Sequence, residues 1–392
     1  MRHRRPAHLL AALALAAVAT LALPAGEARA AAPAEPPSPE PGQGAEGGGV
    51  RADRPLGVLT PGPWRALFLD LPLADVRPGA EPGLTVRWWM ANSWSIPTGL
   101  ESGGRTVEVQ QDEQADVLEV TARLAWARLL GEGPRASRLS TAAAWRLTQH
   151  WGGWSDTPIM AWHQLGKYNG FDRRSYPRDA VRLTLREPGG ATAVALTGPR
   201  LAAGDLTLRT TARLWTGEGA HGPWAVAARL DLKLPTGRLA DAGGSGGLDV
   251  GLALGGSAPL AGWLAGHAQV TVARLSPLPV ALPLQPERWQ YGVEASLAAA
   301  LPGGWTALLE SRALSTLFAG HWALVDASPR QSDAVTAITR WQNQVTLGLR
   351  RGPVTFWLSE DFTLGRRSEV AWLWFYNSNA PDVVLGVAVA LP

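Results

Sequence analysis

The sequence predicts an all-β chain, an antiparallel up-and-down transmembrane β-barrel of about 12 strands within a range of about 10 to 14, with a short helix in one long loop. Three observations predict it. Apolar and polar side chains alternate with period two over segments of about 10 to 14 residues, whereas globular strands usually run about 5 or 6. Turn-forming breaks such as LPGG (301–304) and RRGP (350–353) separate neighbouring segments. Tryptophan is far over-represented, with 19 Trp beside 4 Tyr and 6 Phe in 392 residues. Many of them lie near segment ends: Trp94, Trp145, Trp215, Trp224, Trp263, Trp289, Trp305 and Trp341. An indole with one wet edge is most stable at a membrane interface, where such rings form girdles.

Taken in order, residues 1–30 have a basic start (Arg2, Arg4, Arg5), an apolar run from Leu9 to Leu23 and a small-x-small end at Ala28-Arg29-Ala30, the pattern of a cleaved secretory signal peptide. Cleavage there removes four Arg (2, 4, 5 and 29) and Glu27, so the 36 basic and 33 acidic residues become 32 of each. A neutral mature chain gives no support to nucleic-acid binding. The absence of Cys removes disulfides, thiolate metal sites and thiol catalysis together. Residues 31–55 form a Pro/Gly-rich leader with little to bury, expected to be disordered. Residues 56–392 read as one barrel domain, with 56–80 a candidate plug or periplasmic segment.

The strands follow. Leu84, Val86, Trp88 and Met90 alternate with Thr85, Arg87 and Trp89, and Leu118, Val120, Ala122 and Leu124 with Glu119, Thr121 and Arg123. Trp224, Val226, Ala228, Leu230, Leu232 and Leu234 oppose Ala225, Ala227, Arg229, Asp231 and Lys233. Tyr291, Val293, Ala295 and Leu297 oppose Glu294 and Ser296. No run after the signal peptide approaches 18 uninterrupted apolar residues, so no helical membrane span is available, and a closed barrel is the other structure that satisfies every backbone amide in hydrocarbon. With a signal peptide, that places the chain in the outer membrane of a Gram-negative bacterium. The competing arrangement is a secreted, periplasmic β-sandwich binding module, whose apolar faces would meet each other instead of lipid.

In a barrel the polar register faces the lumen. Arg123, Arg146, Arg209, Arg213, Arg229, Asp231, Lys233, Glu294, Arg340 and Asp361 are the candidate lumen-lining residues. Charges of both signs in a low-dielectric tube must be paired or hydrated. Water-filled porins use about 16 to 18 strands, so a narrow or plugged lumen crossed by ion pairs is expected.

The loop 150–179 carries Ile159, Met160, Trp162 and Leu165 at helical spacing, followed by a basic cluster. Trp162, His163, Arg173, Arg174, Tyr176 and Arg178 are its candidate contacts with anionic lipid or lipopolysaccharide headgroups; the alternative is a helix packed over one barrel end with ion pairs inside the loop. Lys233, in LKLPTG, is one of two lysines in the chain, and the Gly-rich stretch after it lacks phosphate-loop spacing. No nucleophile-elbow or metalloprotease motif occurs, so no catalytic residue, metal or cofactor is expected, and an outer-membrane lipid hydrolase stands as a minor alternative.

Several segments together carry a family resemblance: NSWS (92–95), WSDTPIMAWHQLGKYNGFDRRSYPRD (154–179), LKLPTG (232–237) with SGGLDVGLAL (245–254), SEDF (359–362) and NAPDVVLGVAVAL (379–391). In their order along nearly the whole mature chain, these resemble bacterial outer-membrane proteins grouped as domain-of-unknown-function family 3187. That resemblance implies an outer-membrane β-barrel with no established activity. The barrel assembly machinery is the expected partner, although the chain ends on Leu391-Pro392 where many such barrels end on an aromatic residue. The reading is a non-enzymatic barrel with a narrow channel, transport or envelope-maintenance role toward an unidentified small solute.

Overall fold

The computed structural model describes residues 53–59, 62–77, 83–94, 98–102, 104–127, 138–158, 161, 177–318, 323–324, 342–363, 376–377 and 383–391. The expected signal peptide lies outside the described residues, as does the leader up to residue 52.

Twelve strands form a closed ring. They are β1 (Leu84–Trp94), β2 (Arg105–Ala125), β3 (Leu139–Trp151), β4 (Leu206–Gly219), β5 (Gly222–Leu234), β6 (Asp249–Ala261), β7 (Leu264–Arg274), β8 (Trp289–Leu301), β9 (Trp305–Leu314), β10 (Gln342–Arg351), β11 (Val354–Thr363) and β12 (Val383–Leu391). Each pairs antiparallel with its neighbour in the chain, and β12 returns to β1 in the register Leu84↔Leu391 to Asn92↔Val383. Closure leaves no sheet edge, the condition for crossing hydrocarbon with strands.

The period-two pattern sorts the two faces. Leu230 on β5, Leu297 on β8, Leu309 on β9, Leu347 on β10 and Phe356 on β11 are exposed on the outside. On the same strands Asp231, Glu294, Glu310, Thr346 and Ser359 are each at most 1% exposed inside. A soluble monomer rarely exposes a contiguous apolar patch beyond a few hundred Å², whereas this band runs right round the ring. The sandwich alternative is therefore overturned, because the apolar faces point away from one another. The indoles divide as well. Trp215 and Trp263 are exposed at one end and Trp154 and Trp289 at the other, while Trp89 and Trp357 are buried inside with a small apolar cluster.

The two ends differ. Residues 219–222, 261–264, 301–305 and 351–354 turn tightly at one end, while the connections 151–206, 234–249 and 274–289 at the other are long. Short periplasmic turns and long extracellular loops are the usual asymmetry of outer-membrane barrels. At the loop end β2 runs past the ring, and its residues 105–112 pair with strand Thr98–Ser102 and with the hairpin Arg182–Arg186/Thr192–Leu196. Leu100, Val107, Leu183, Leu185 and Val194 join Leu284 and Phe318 in a fully apolar cap.

Residues 53–59 and 62–77 lie inside the ring. Asp53 to Leu59 rise along β9 and β10 from the short-turn end, and a single helical turn (Pro63–Ala66) sits beneath the cap. Leu69 to Arg77 then descend along β5 and β6 to rejoin β1. The described residues begin at Asp53, three residues before the expected boundary, and Arg54 there is only 7% exposed. The expected helix of loop 150–179 falls on 159–170, of which only residue 161 is described.

Candidate functional site

The candidate site is the lumen and the chain segment that fills it. A strand-free segment inside a barrel brings backbone N–H and C=O groups that no ladder satisfies, and each must find a partner from the wall. On β9, Glu310 accepts the amide hydrogens of Leu56 at 3.1 Å, Gly57 at 3.0 Å and Val58 at 3.0 Å. Two residues on, Arg312 donates to the Val58 carbonyl at 3.0 Å, to Asp70 at 3.1 Å and to Glu294 at 3.2 Å. Arg350 on β10 donates to the carbonyls of Arg54 at 2.7 Å and Pro55 at 3.3 Å. The rising limb is thus held mainly by charge-assisted bonds to its backbone, each stronger than a neutral one.

The descending limb is held the same way. Asp249 accepts from Leu69 N at 3.0 Å, Gln269 donates to Leu71 O at 2.9 Å, Arg229 to Pro72 O at 2.8 Å and Arg213 to Val76 O at 2.9 Å. Apolar packing adds to this: Leu56, Val58 and Leu59 meet Trp89, Val117, Leu308 and Trp357. Wall glycines make room, since a Cβ on Gly386 would come within 2.2 Å of the Trp357 indole.

Arg229 and Asp231 pair at 3.0 Å, and Arg209 approaches Asp231 at 3.9 Å. Lys233 lies between Asp205 at 2.6 Å and Asp249 at 3.4 Å, with the Ser245 hydroxyl at 2.9 Å. Its burial at 0% exposure ties LKLPTG to the following loop, so this lysine organises structure at the loop end. Glu294 faces Arg312, and Arg123 donates to Ser140 at 2.8 Å. Arg146 lines a cavity of about 20 Å³ with Trp89, Glu113 and His150, the last two 2.7 Å apart.

Arg340 and the side chain of Asp361 lie outside the described residues, although the Asp361 backbone pairs with Gln344. Trp162, His163, Arg173, Arg174 and Tyr176 are outside them too, and Arg178 is exposed.

Sequence reasoning missed Glu310, Arg312, Arg350, Asp249 and Gln269. Their signal was present: Thr306, Leu308, Glu310 and Arg312 share one register of WTALLESRAL, as do Gln344, Thr346 and Arg350 of the next strand. It also missed a polar patch on the outer face. Asn92 donates to Ser155 at 2.9 Å, and Gln114 accepts from Trp154 N at 3.2 Å, so the segment after β3 folds down over outward positions near the loop end.

One Ser/His contact invites a catalytic reading. His267 Nδ1 is 3.0 Å from Ser257 Oγ, but Nε2 is spent on the Asp53 carbonyl at 2.9 Å, and Ser257 already accepts from Val76 N at 3.1 Å. Both side chains are at most 2% exposed beneath the plug, so the contact fastens the plug and presents no nucleophile. Among the described residues no cluster of three or more His, Asp or Glu could hold a metal ion.

No family model matches the chain, and no curated protein matches it. Solved structures similar to it include an outer membrane channel from Pseudomonas putida F1, with 12% identity, 79% of this chain and 94% of that one covered, and a TM-score of 0.43. A FadL homologue from Pseudomonas aeruginosa shows 8% identity over 82% of this chain and 95% of that one, with a TM-score of 0.34. Outer membrane phospholipase A from Escherichia coli shows 10% identity over 82% and 94%, with a TM-score of 0.29.

Proposed function

We propose that the chain is a non-enzymatic outer-membrane channel, exported by a cleaved signal peptide, whose narrow lumen is closed by its own residues 53–77 and opens to a small solute when that segment moves. Outer-membrane lipid would surround the exposed apolar band.

The observation that carries the reading is the kind of attachment. Glu310, Arg312 and Arg350 bind the rising limb largely through its backbone. Those polar contacts can be exchanged for water, while the apolar side chains that the segment also buries, among them Leu56, Leu59, Trp64, Leu67 and Phe68, keep the closed state dominant and openings rare. A ring of twelve strands filled only by interlocking wall side chains would need no such segment.

Planar-bilayer recording tests it. The full chain should show small or rare openings, and a variant with residues 53–77 replaced by a Gly/Ser linker of equal length should conduct steadily at several times the amplitude. If the linker variant keeps its heat-modifiable gel mobility yet conducts no better, the lumen is not a pathway and the channel reading fails.

A further inference from the structure

We propose that the lumen holds a binding site for a small free oxyanion of phosphate or carboxylate type, in the cavity between the plug and the β1–β5 wall. This deepens the channel reading by naming a solute class, and rests on that reading only for the route by which the anion arrives.

The cavity has a volume of about 110 Å³ and lies toward the short-turn end. Five guanidinium side chains line it, Arg54, Arg87, Arg123, Arg209 and Arg229, with Asp75 the one carboxylate among the lining residues. Thr85, Thr121, Ser140 and Thr211 add hydroxyls, which donate readily to an oxyanion.

Each of the nearest carboxylates already has a guanidinium partner, although Asp231 Oδ2 accepts no hydrogen bond. Asp75 is held by Arg77 at 2.6 Å, Glu119 by Arg87 at 3.1 Å, and Asp231 by Arg229 at 3.0 Å. Arg209 stands 3.9 Å from Asp231 Oδ2, beyond hydrogen-bond reach, and within the field of Glu119. Its side chain is nine-tenths buried, and its Nε has no hydrogen-bond partner; neither has Nη2 of Arg229.

Buried guanidinium N–H groups without acceptors are costly. Both residues, on neighbouring strands, line one cavity with hydroxyls around it, a donor set that a tetrahedral or planar oxyanion matches in charge and geometry, that a cation cannot use, and that a neutral sugar meets only with uncharged acceptors. The volume admits an ion of phosphate size, and comparison with a short-chain lipid carrying the same headgroup separates a free anion from a lipid.

The test is calorimetric titration of the detergent-solubilised full chain with inorganic phosphate, at constant ionic strength set by sodium chloride. Saturable binding is expected, weakened about tenfold or more in Arg209→Gln and changed less than about threefold in Arg209→Lys, which keeps the charge. Arg209 makes no hydrogen bond to the plug backbone, and gel mobility before and after boiling confirms that each variant is folded.

Absence of saturable phosphate binding by the full chain, or equal affinity in Arg209→Gln, overturns the site. Short-chain phosphatidic acid binding as tightly as phosphate, and lost in Arg209→Gln, overturns the assignment to a free ion. Binding without conductance in the linker variant would keep the site and discard the channel; conductance without binding would do the reverse.

Discussion

Asp53 Oδ2 and Arg77 Nη1 lie 2.8 Å apart, so the two ends of the plug meet in one ion pair at the short-turn end of the barrel. Arg77, with its side chain fully buried, also grips Asp75 through Nε at 2.9 Å and Nη2 at 2.6 Å. The clasp thus depends on two carboxylates staying ionised.

That dependence sets a pH window. Burial alone would raise the Asp75 carboxyl, but the Arg77 hydrogen bond and the charges of His267 and Arg77 hold it below the ordinary value. A depressed folded-state pKa stabilises the clasp at every pH above the unfolded value of about 3.9, and that stability is lost as pH falls through the folded value. Channel openings should be unchanged between about pH 7 and 5 and become frequent below about pH 4. Asp75→Asn should open more often at neutral pH and lose much of the acid response. An acid response of full size in Asp75→Asn would show that the clasp is not the sensor.

Glu310→Gln addresses the rising limb. The carboxylate takes three backbone amides on two oxygens, and a carboxamide offers one acceptor oxygen and an NH₂ that faces the same donors. Loss of charge-assisted bonds to a buried partner costs about 1.5–3 kcal/mol. Plug docking should weaken by that amount while the ring persists, so limited proteolysis should cut near Leu56 in the variant and spare the strands. An uncut plug would mean that Arg312 and Arg350 suffice without Glu310.

Gly57→Ala addresses the fit between the limbs. Gly57 has φ of +60°, and a Cβ there would lie 2.6 Å from the Leu73 carbonyl oxygen on the opposite limb. Left-handed strain plus this clash should destabilise docking by about 1–3 kcal/mol. Conductance and proteolysis should shift as for Glu310→Gln. Wild-type behaviour would show that the limbs can separate freely.

How far the sequence foretold this molecule depends on the range of the interactions. Alternation such as Leu230-Asp231-Leu232 shows which side of a strand is apolar, and a strand's length shows that it can cross a bilayer; both are local properties. Partner choice inside the lumen is not local. Glu310 meets Gly57 from 253 positions away, and nothing in GWTALLESR distinguishes a carboxylate that caps a plug from one that pairs across the wall. Arg209, Arg229 and Asp231 were legible as inward residues, yet that Asp231 is already engaged by Arg229 and only 3.9 Å from Arg209 emerges from the register of β4 on β5. Trp89 and Trp357 were hard to read for another reason. Indoles are so favourable at interfaces that their use as wall for Leu56 and Leu59 leaves no separate signal.

The last prediction concerns the outer face. Leu347 is 57% exposed at the middle of β10, while Leu301 is 42% exposed at the short-turn end of β8. If acyl chains cover the band, Leu347→Arg puts a charge near the bilayer midplane, at a cost of about 2–4 kcal/mol, whereas near the interface the cost falls to about 0–1 kcal/mol. In Leu301→Arg the introduced guanidinium can also extend to water past the exposed Trp263 indole, which reduces its cost further. Reversible urea unfolding in phospholipid vesicles should therefore show a large loss of stability for Leu347→Arg and little for Leu301→Arg. In water both substitutions would be mild, since each replaces an exposed apolar side chain with a polar one. Equal, small effects at the two positions in vesicles would mean that the band does not face lipid, and the outward direction of every strand would have to be reconsidered.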